Sequence, residues 1–159
     1  CGDSGKGKLC DIKDILEYVD HYFQRSDLLK GKHVLITAGP TQEALDPVRY
    51  LTNHSSGKMG YALAQAALDM GASVTLISGP VQLNAPKGAK LIPVKTAVEM
   101  FDAVVSCYEQ ADFIIKAAAV GDYRPLHVSE QKIKKSGDSL HIEFVKNPDI
   151  LAYIGKQPQ

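Results

Sequence analysis

The sequence has few cysteines, which argues against a disulfide-rich protein. Its three cysteines, Cys1, Cys10 and Cys107, form no C-x-x-C pair, and an odd number cannot all pair within one chain. This pattern favours free thiols in a reducing compartment over a disulfide-stapled secreted domain, so we expect a cytoplasmic location. The five histidines lack the spacing of a zinc site, and a tightly held transition metal is not expected.

Net charge and long apolar runs are also missing. Eighteen basic residues balance eighteen acidic ones, so the chain has no broad attraction to nucleic acid or to an anionic membrane. No apolar segment has the length of a membrane-spanning helix, and the N-terminus has no apolar signal-peptide core. We therefore expect neither nucleic acid nor a membrane as a partner, and any phosphate site must be local.

An alternation of apolar runs and helical patterns is present instead. Apolar runs predict strands at residues 33–37, 73–78, 91–94, 112–120 and 140–145. Helical patterns lie at 57–70 and after Thr96, and a last helix is predicted after an Asn147-Pro148 cap. Strands that alternate with helices are typical of a mainly parallel sheet covered on both faces. We therefore predict a three-layer, Rossmann-like α/β fold.

The ends of the chain stand apart from this alternation. A glycine-rich phrase at residues 1–10 precedes a helical pattern at 12–23, for which Asp11 is a suitable N-cap, and a polar linker follows. The chain opens on Cys1 rather than methionine and stops just after the start of a helical pattern. We expect a fragment of a longer protein, with an α/β domain that is truncated at its C-terminus.

The start of the helix at 57–70 has the composition of an anion site. Parallel sheets bind ligands at the carboxyl ends of their strands, and the first strand ends at Gly39. After a polar stretch at 41–56, predicted as a loop, Ser55, Ser56 and Gly57 lead into the helix, whose free N–H groups and dipole favour a phosphate. Gly60 would let the helix lie close to the sheet. A capped helix start without a ligand is the structural alternative.

Known phosphate-binding motifs do not fit this phrase. The P-loop spacing is absent, and Gly39 and Gly57 are too far apart for a dinucleotide fingerprint. The phrase does match the S-S-G-x-x-G turn of short-chain dehydrogenases, but the required Y-x-x-x-K pair is missing, since Tyr153 and Lys156 are one residue too close. A nicotinamide-binding reductase therefore stays as an alternative, as does a binding or assembly module without catalysis.

Other candidate residues lie before, within and after the predicted strand at 112–120. Arg49 can clamp a phosphate or carboxylate, although pairing with Asp46 is the simpler interpretation. The alanines at 117–119 leave room for a ligand, and Asp122 can bind Mg²⁺ or serve only in a turn. Lys116, inside an apolar run, has no explanation from the sequence.

A lysine cluster follows at Lys132-Ile133-Lys134-Lys135. It can close over a triphosphate and offset its charge, or it can be a solvated face.

Several phrases together resemble the phosphopantothenoylcysteine synthetase family, the phosphopantothenate–cysteine ligases of coenzyme A synthesis. The likeness runs in order from about residue 31 to the last residues. It rests on the following phrases: Gly39-Pro40-Thr41, Asp46-Pro47-Val48-Arg49-Tyr50, Asn53-His54-Ser55-Ser56-Gly57-Lys58-Met59-Gly60, Ala118-Ala119-Val120-Gly121-Asp122-Tyr123, Lys132-Ile133-Lys134-Lys135 and Val145-Lys146-Asn147-Pro148-Asp149-Ile150.

This resemblance implies a reaction in two steps. The carboxylate of 4′-phosphopantothenate attacks the α-phosphorus of CTP, with Mg²⁺ present, and gives an acyl-cytidylate and pyrophosphate. The amine of cysteine then displaces CMP and leaves an amide. The resemblance also implies a homodimer.

The resemblance assigns roles to individual residues. Asn53 would serve chiefly in converting the intermediate, Lys132 in forming it, and Arg49 would act from a neighbouring subunit. The implied nucleotide-binding residues are Gly39, Ser55, Ser56, Gly57, Gly60 and Lys132. The implied substrate-binding residues are Asn53, Ala118, Ala119, Asp122 and Arg49, with Asp122 also a candidate Mg²⁺ ligand.

The N-terminal phrase at 1–7 resembles the end of the flavin-dependent phosphopantothenoylcysteine decarboxylase family. Cys1 would match the acid-donating cysteine of that family, while Lys8 stands where arginine is usual. We therefore expect residues 1–30 to be a decarboxylase tail and linker helix, and residues 31–159 to be an incomplete nucleotide-binding synthetase domain. FMN would belong to the absent decarboxylase part. The synthetase family continues beyond residue 159 with a segment that helps to hold the nucleotide base, so the resemblance implies a reduced affinity of this chain for CTP, while the phosphate end of the site is present.

Overall fold

The computed structural model describes residues 10–24, 26–135, 137 and 139–157. Its eight strands in chain order are β1 (His33–Ala38), β2 (Gln42–Asp46), β3 (Arg49–Thr52), β4 (Ser73–Ser78), β5 (Lys90–Pro93), β6 (Phe113–Lys116), β7 (Tyr123–Pro125) and β8 (Phe144–Lys146). The helices are α1 (Ile12–Gln24), α2 (Lys58–Asp69), α3 (Ala97–Val105) and α4 (Ile150–Ile154), with a short 3-10 helix at Tyr108–Gln110.

A four-stranded parallel sheet in the order β5-β4-β1-β6 forms the centre of the molecule. β1 lies between two neighbours, and five of its six residues are buried. A strand covered on both faces must be apolar along its whole length, which is why 33–38 reads as a continuous apolar run. The parallel sheet and the three-layer, Rossmann-like α/β fold predicted from the sequence are confirmed.

The two faces of the sheet have separate cores. On one face, Val34 and Ile36 of β1 pack with Ala64 and Ala67 of α2. On the other face, Leu35 packs with Met100 of α3 and with Ile150, the first residue of α4. Successive residues of β1 therefore point to opposite helical layers, as the two-residue repeat of a strand requires.

The stretch after β1 is a β-hairpin rather than the predicted loop. β2 and β3 pair antiparallel, with a register irregularity between Ala44 and Asp46. All four residues of β3 are exposed, and β2 buries only part of its length. The prediction failed because this hairpin has little of the apolar alternation that identifies a half-buried strand.

Three smaller differences concern the C-terminal part. β6 ends at Lys116, whereas the sequence predicted a strand to residue 120. The predicted strand at 140–145 is displaced to Phe144–Lys146 and pairs with β7. The cap of the last helix is Asp149, whose carboxylate accepts from the Ala152 N–H at 2.9 Å, and not Asn147.

The predicted N-terminal helix is present as α1. Asp11 caps it as expected, since its carboxylate accepts from the Lys13 N–H at 2.9 Å. Ile12, Leu16 and Phe23 on the predicted apolar face are exposed. The decarboxylase-like phrase, including Cys1, lies outside the described residues. Within the described chain, no helix combines the length and apolarity that crossing a bilayer requires.

Candidate functional site

Three loops meet at the carboxyl edge of the parallel sheet. They follow β1 at Gly39-Pro40, β4 at Gly79-Pro80 and β6 at residues 117–122. The Gly79 N–H donates to the Ala38 carbonyl at 2.9 Å, and a Cβ on Gly79 would overlap the Pro40 carbonyl oxygen. Only glycine fits there. The backbones of the first two loops therefore touch, which brings the ends of β1 and β4 together.

Glycines also bring the start of α2 onto this edge. Gly57 has φ of +75° and precedes the helix, and a Cβ on it would lie 2.8 Å from Cγ1 of Val81 and 3.5 Å from Cα of Gly39. A Cβ on Gly60 would lie 2.5 Å from Cβ of Ala38. These distances are shorter than or at van der Waals contact, so side chains here would push the helix away. The structure therefore brings three predicted nucleotide-site glycines, Gly39, Gly57 and Gly60, into one contact region.

A cleft of about 400 Å³ opens beside the start of α2. Ser55, Ser56 and Lys58 line it. Its other wall is the loop Pro80–Leu83, which sequence reasoning missed. The closing Gly79-Pro80 pair after β4 is the signal that could have indicated this wall, because ligand loops in such sheets follow the carboxyl ends of strands.

The alanine segment after β6 runs alongside the end of β1 without being a regular strand. The Ala117 N–H donates to the Thr37 carbonyl at 3.0 Å, and the Ala119 N–H donates to the Gly39 carbonyl at 2.8 Å. Thr41 continues the contact, since its hydroxyl accepts from the Gly121 N–H at 2.9 Å. The small side chains at 118–119 therefore lie next to the Gly39-Pro40 loop.

Asn53 joins the hairpin to this alanine segment. Its Nδ2 donates to the Val120 carbonyl at 3.1 Å and approaches the Ala119 carbonyl at 3.5 Å. The side chain is otherwise exposed. Asn53, predicted in a loop, and Ala119, predicted in a strand, are thus brought together by the tertiary structure.

A larger cleft of about 620 Å³ is lined in part by residues 120–122. Asp122 is in its wall, and so is Lys116, the lysine that the sequence left unexplained. Lys146 and Asn147 complete a polar wall that sequence reasoning did not assign to a site. This cleft and the one beside α2 share no lining residue, and the described residues place Lys132 in neither wall.

Asn147 braces the turn that carries Asp122. Its Nδ2 donates to the Gly121 carbonyl at 2.8 Å, and its backbone N–H donates to the Asp122 carbonyl at 2.8 Å. Its Oδ1 accepts from Arg124 at 3.1 Å. The asparagine predicted as a helix cap therefore has a different task, which is to hold the Gly121-Asp122 turn against β8.

The charge of the larger cleft is mixed. The hydrogen bond from the Ala152 N–H lowers the pKa of Asp149. The Leu151 N–H and the positive charges of Lys116 and Lys156 lower this pKa further, whereas desolvation raises it. Asp122 is exposed. No group of three or more His, Cys, Asp or Glu side chains in the described ranges is arranged to hold a metal. A Mg²⁺ ion there would need oxygens from a phosphate in addition to Asp122, which is a common arrangement for that ion.

Arg49 is engaged within its own chain. Its Nε and Nη2 donate to Oδ2 of Asp46 at 2.9 and 2.6 Å, and Nη2 also donates to the Ile133 carbonyl at 2.7 Å. The pairing with Asp46 is thus confirmed. Lys132 directly precedes Ile133 in the sequence, and it is exposed.

Comparisons with known proteins agree with this architecture. The coenzyme A biosynthesis bifunctional protein CoaBC of Vibrio vulnificus (strain YJ016) is 53% identical over 156 residues, which are 97% of this chain and 39% of the relative. The protein of the same name from Escherichia coli (strain K12) is 50% identical over 157 residues, again 97% of this chain and 39% of the relative. The chain thus spans about two fifths of the length of these relatives.

A solved structure and a family model match the same region. The crystal structure of the C-terminal domain of a coenzyme A biosynthesis bifunctional protein CoaBC superposes with a TM-score of 0.73 at 46% identity, over 84% of this chain and 63% of that chain. A model of the family described as DNA/pantothenate metabolism flavoprotein C-terminal domain matches residues 29–159. The chain therefore belongs to the DNA/pantothenate metabolism flavoprotein C-terminal domain family.

Proposed function

We propose that this chain is a phosphopantothenate–cysteine ligase domain of coenzyme A biosynthesis. Residues 31–159 are the synthetase part in this proposal, and residues 1–30 are a linker helix and the tail of a flavin-dependent decarboxylase. The domain would activate 4′-phosphopantothenate with CTP and then join the acyl-cytidylate to cysteine. A cytoplasmic homodimer is the proposed working form.

One observation supports this proposal above the others. The amide of Asn53 lies against the carbonyls of Ala119 and Val120, at the same sheet edge as the glycines around α2. A ligase that forms an acyl-nucleotide needs a phosphate site and an orienting polar group within reach of one substrate. The relatives named for coenzyme A biosynthesis add the substrate class to this geometry.

The chemistry assigned to each group follows from its type. The N–H groups at the start of α2, with Gly39, Gly57 and Gly60, would receive the nucleotide phosphates. The Asn53 amide, whose Nδ2 donates to the Val120 carbonyl, would orient the acyl group. Ala118, Ala119 and Asp122 would border the pantothenate moiety. Lys132 would offset phosphate charge as pyrophosphate leaves. Mg²⁺, when bound at Asp122 and the phosphates, would neutralise part of the same charge.

Nucleotide binding tests the proposal directly. We expect calorimetric titration of the chain with Mg²⁺ to show binding of CTP in preference to ATP and NADH, followed by pyrophosphate release when 4′-phosphopantothenate is added. Preference for NADH would favour the short-chain reductase and overturn the ligase. Absence of any nucleotide binding would favour a non-catalytic assembly module and would also overturn the proposal for this chain.

An Asn53 variant separates the two half-reactions. Asn53→Ala should keep CTP binding and pyrophosphate release and should lose amide formation by on the order of 10²-fold, the usual effect of removing one orienting polar group. The exposed Asn84, which contributes to neither described cleft, provides a matched control as Asn84→Ala. Equal loss of both half-reactions in Asn53→Ala would contradict the role given to this amide.

A further inference from the structure

We propose that Asp46 is a positioning residue which, together with Arg49, holds the lysine segment (residues 132–135) so that Lys132 reaches the reacting phosphate. The inference deepens the proposed ligase function and rests on it for the role of Lys132. Its geometric part, a clamp on Ile133, stands on contacts within the described chain.

The two carboxylate oxygens of Asp46 have separate tasks. Oδ1 accepts from the Val48 N–H and the Arg49 N–H, both at 2.9 Å, and this closes the turn between β2 and β3. Oδ2 accepts from the Arg49 side chain and from the Ile133 N–H at 3.1 Å. A turn alone would use only Oδ1. The second oxygen is therefore devoted to the clamp.

Arg49 completes the clamp on the other side of the same residue. Its Nη2 donates to the Ile133 carbonyl at 2.7 Å while also contacting Asp46. The N–H and the C=O of Ile133 are thus both held, by residues more than eighty positions earlier in the chain. A second tie lies a few residues before, where the Ser129 N–H donates to the Leu45 carbonyl at 3.0 Å.

Burial makes the clamp stronger than a surface ion pair. The Asp46 side chain is fully buried, whereas that of Arg49 is 42% exposed. Exposed ion pairs contribute little because water screens them, but a buried carboxylate whose partners are lost is costly. Asp46 therefore keeps Arg49 in place, and Arg49 in turn holds the backbone at Ile133.

The consequence falls on the lysines beside Ile133. Lys132 and Lys134 are exposed while Ile133 is partly buried, so the backbone is fixed at the residue between them. A lysine on a fixed backbone loses less freedom when it meets a phosphate than a lysine on a free loop. The β2–β3 hairpin, which the sequence predicted as a loop, therefore supports the lysine segment.

The variant Asp46→Asn tests the clamp with little disturbance of the turn. Its amide oxygen can still accept from Val48 and Arg49, but its NH₂ group would face the three donors of the clamp. We expect hydrogen exchange at the Ile133 amide, measured by NMR, to rise about tenfold or more, with core-strand amides as the internal standard. Asp112→Asn is the matched control, since Asp112 accepts from Lys32 and the His33 N–H at the opposite edge of the sheet.

Kinetics test the positioning role. In the CTP-dependent first step, Asp46→Asn should lower the kcat of pyrophosphate release by roughly ten- to a hundredfold with a smaller change in KM for CTP. The double variant Asp46→Asn/Lys132→Ala should be no slower than Lys132→Ala alone, because both changes remove the same contribution. Additive losses would mean that Asp46 acts on general stability and not through Lys132.

The outcomes separate the two proposals. If the Ile133 amide exchanges at the same rate in Asp46→Asn as in the unmodified chain, the clamp is overturned, whatever the activity. Faster exchange with an unchanged kcat overturns the positioning role. An unmodified chain that binds no CTP and releases no pyrophosphate overturns the ligase function and with it the role of Lys132, and the exchange result then decides the clamp by itself.

Discussion

At the scale of single residues, two buried threonines of the sheet differ in hydrogen bonding. Thr37 in β1 is fully buried, and its hydroxyl has no partner among the described residues. Thr75 in β4 is 4% exposed, and its hydroxyl shares a hydrogen bond of 2.9 Å with Nε2 of His33. An unpaired buried hydroxyl costs stability, whereas a paired one roughly compensates its desolvation.

The two threonines should therefore respond in opposite ways to the same substitution. Thr37→Val keeps the shape and removes the unpaired hydroxyl, so we expect the free energy of unfolding to stay level or rise by about 1 kcal/mol. Thr75→Val removes a paired hydroxyl and should lower it by about 1 kcal/mol. Urea unfolding at pH 7 measures both. A clear loss of stability in Thr37→Val would show that its hydroxyl has a partner, such as a buried water.

At the scale of elements, the start of α3 is tied to the hairpin by a buried carboxylate. Oε1 of Glu43 in β2 accepts from the Ala97 N–H at 2.9 Å, and Glu43 is 3% exposed. Thr96 adds the local cap, since its hydroxyl accepts from the Glu99 N–H at 3.1 Å. A negative charge at a helix N-terminus is favourable, so Glu43 stabilises α3 and fixes β2 against it.

Removing this carboxylate should cost more than removing an exposed one nearby. Glu43→Ala leaves the Ala97 N–H buried without its acceptor, and we expect a loss of about 1–3 kcal/mol in the free energy of unfolding. Glu99→Ala is the matched control, because Glu99 is exposed and accepts from the Lys95 N–H. Its loss should stay below about 1 kcal/mol. Equal losses in urea unfolding would mean that burial of Glu43 does not matter.

At the scale of the whole molecule, three carboxylates link folding to pH. Burial raises the pKa of Asp46, but donors from Val48, Arg49 and Ile133 outweigh it and hold the pKa well below 3.8. Lys32 and the His33 N–H lower the pKa of Asp112, and the Ala152 N–H does so for Asp149. A carboxylate with a depressed folded-state pKa stabilises the fold above its unfolded pKa and loses that contribution as pH falls through the folded value.

Acid should therefore unfold the protein progressively below the unfolded pKa of aspartate, about 3.9. We expect the difference in Tm between the unmodified chain and Asp46→Asn to be largest near neutral pH. The difference should shrink as pH falls below about 4, because Asp46 then binds a proton in the unfolded chain while it stays ionised in the folded one, and this uptake favours unfolding. Thermal unfolding by circular dichroism from pH 7 to 3 measures this. A difference that stays constant over this range would show that the charge of Asp46 does not contribute.

The sequence by itself determined the parallel sheet and the start of α2. Apolar runs at 33–37 and 73–78 appear as β1 and β4, since a strand covered on both faces must be apolar throughout. Glycine occupies positions 39, 57 and 60 at one edge of the sheet, because helix and sheet approach each other there too closely for a Cβ. Such local requirements act on individual residues and are visible in the order of residue types.

Only the tertiary structure decided how distant polar groups are used. The β2–β3 hairpin has no apolar alternation to reveal it, and its place depends on contacts of Glu43, Asp46 and Asn53 with segments far along the chain. The phrase Asn147-Pro148 predicted a helix cap, but the Asn147 side chain braces the Gly121-Asp122 turn instead. Hydrogen bonds between remote backbone and side-chain groups leave no periodic pattern in a sequence, so residue order could not reveal that Asp46 and Arg49 hold the lysine segment at Ile133.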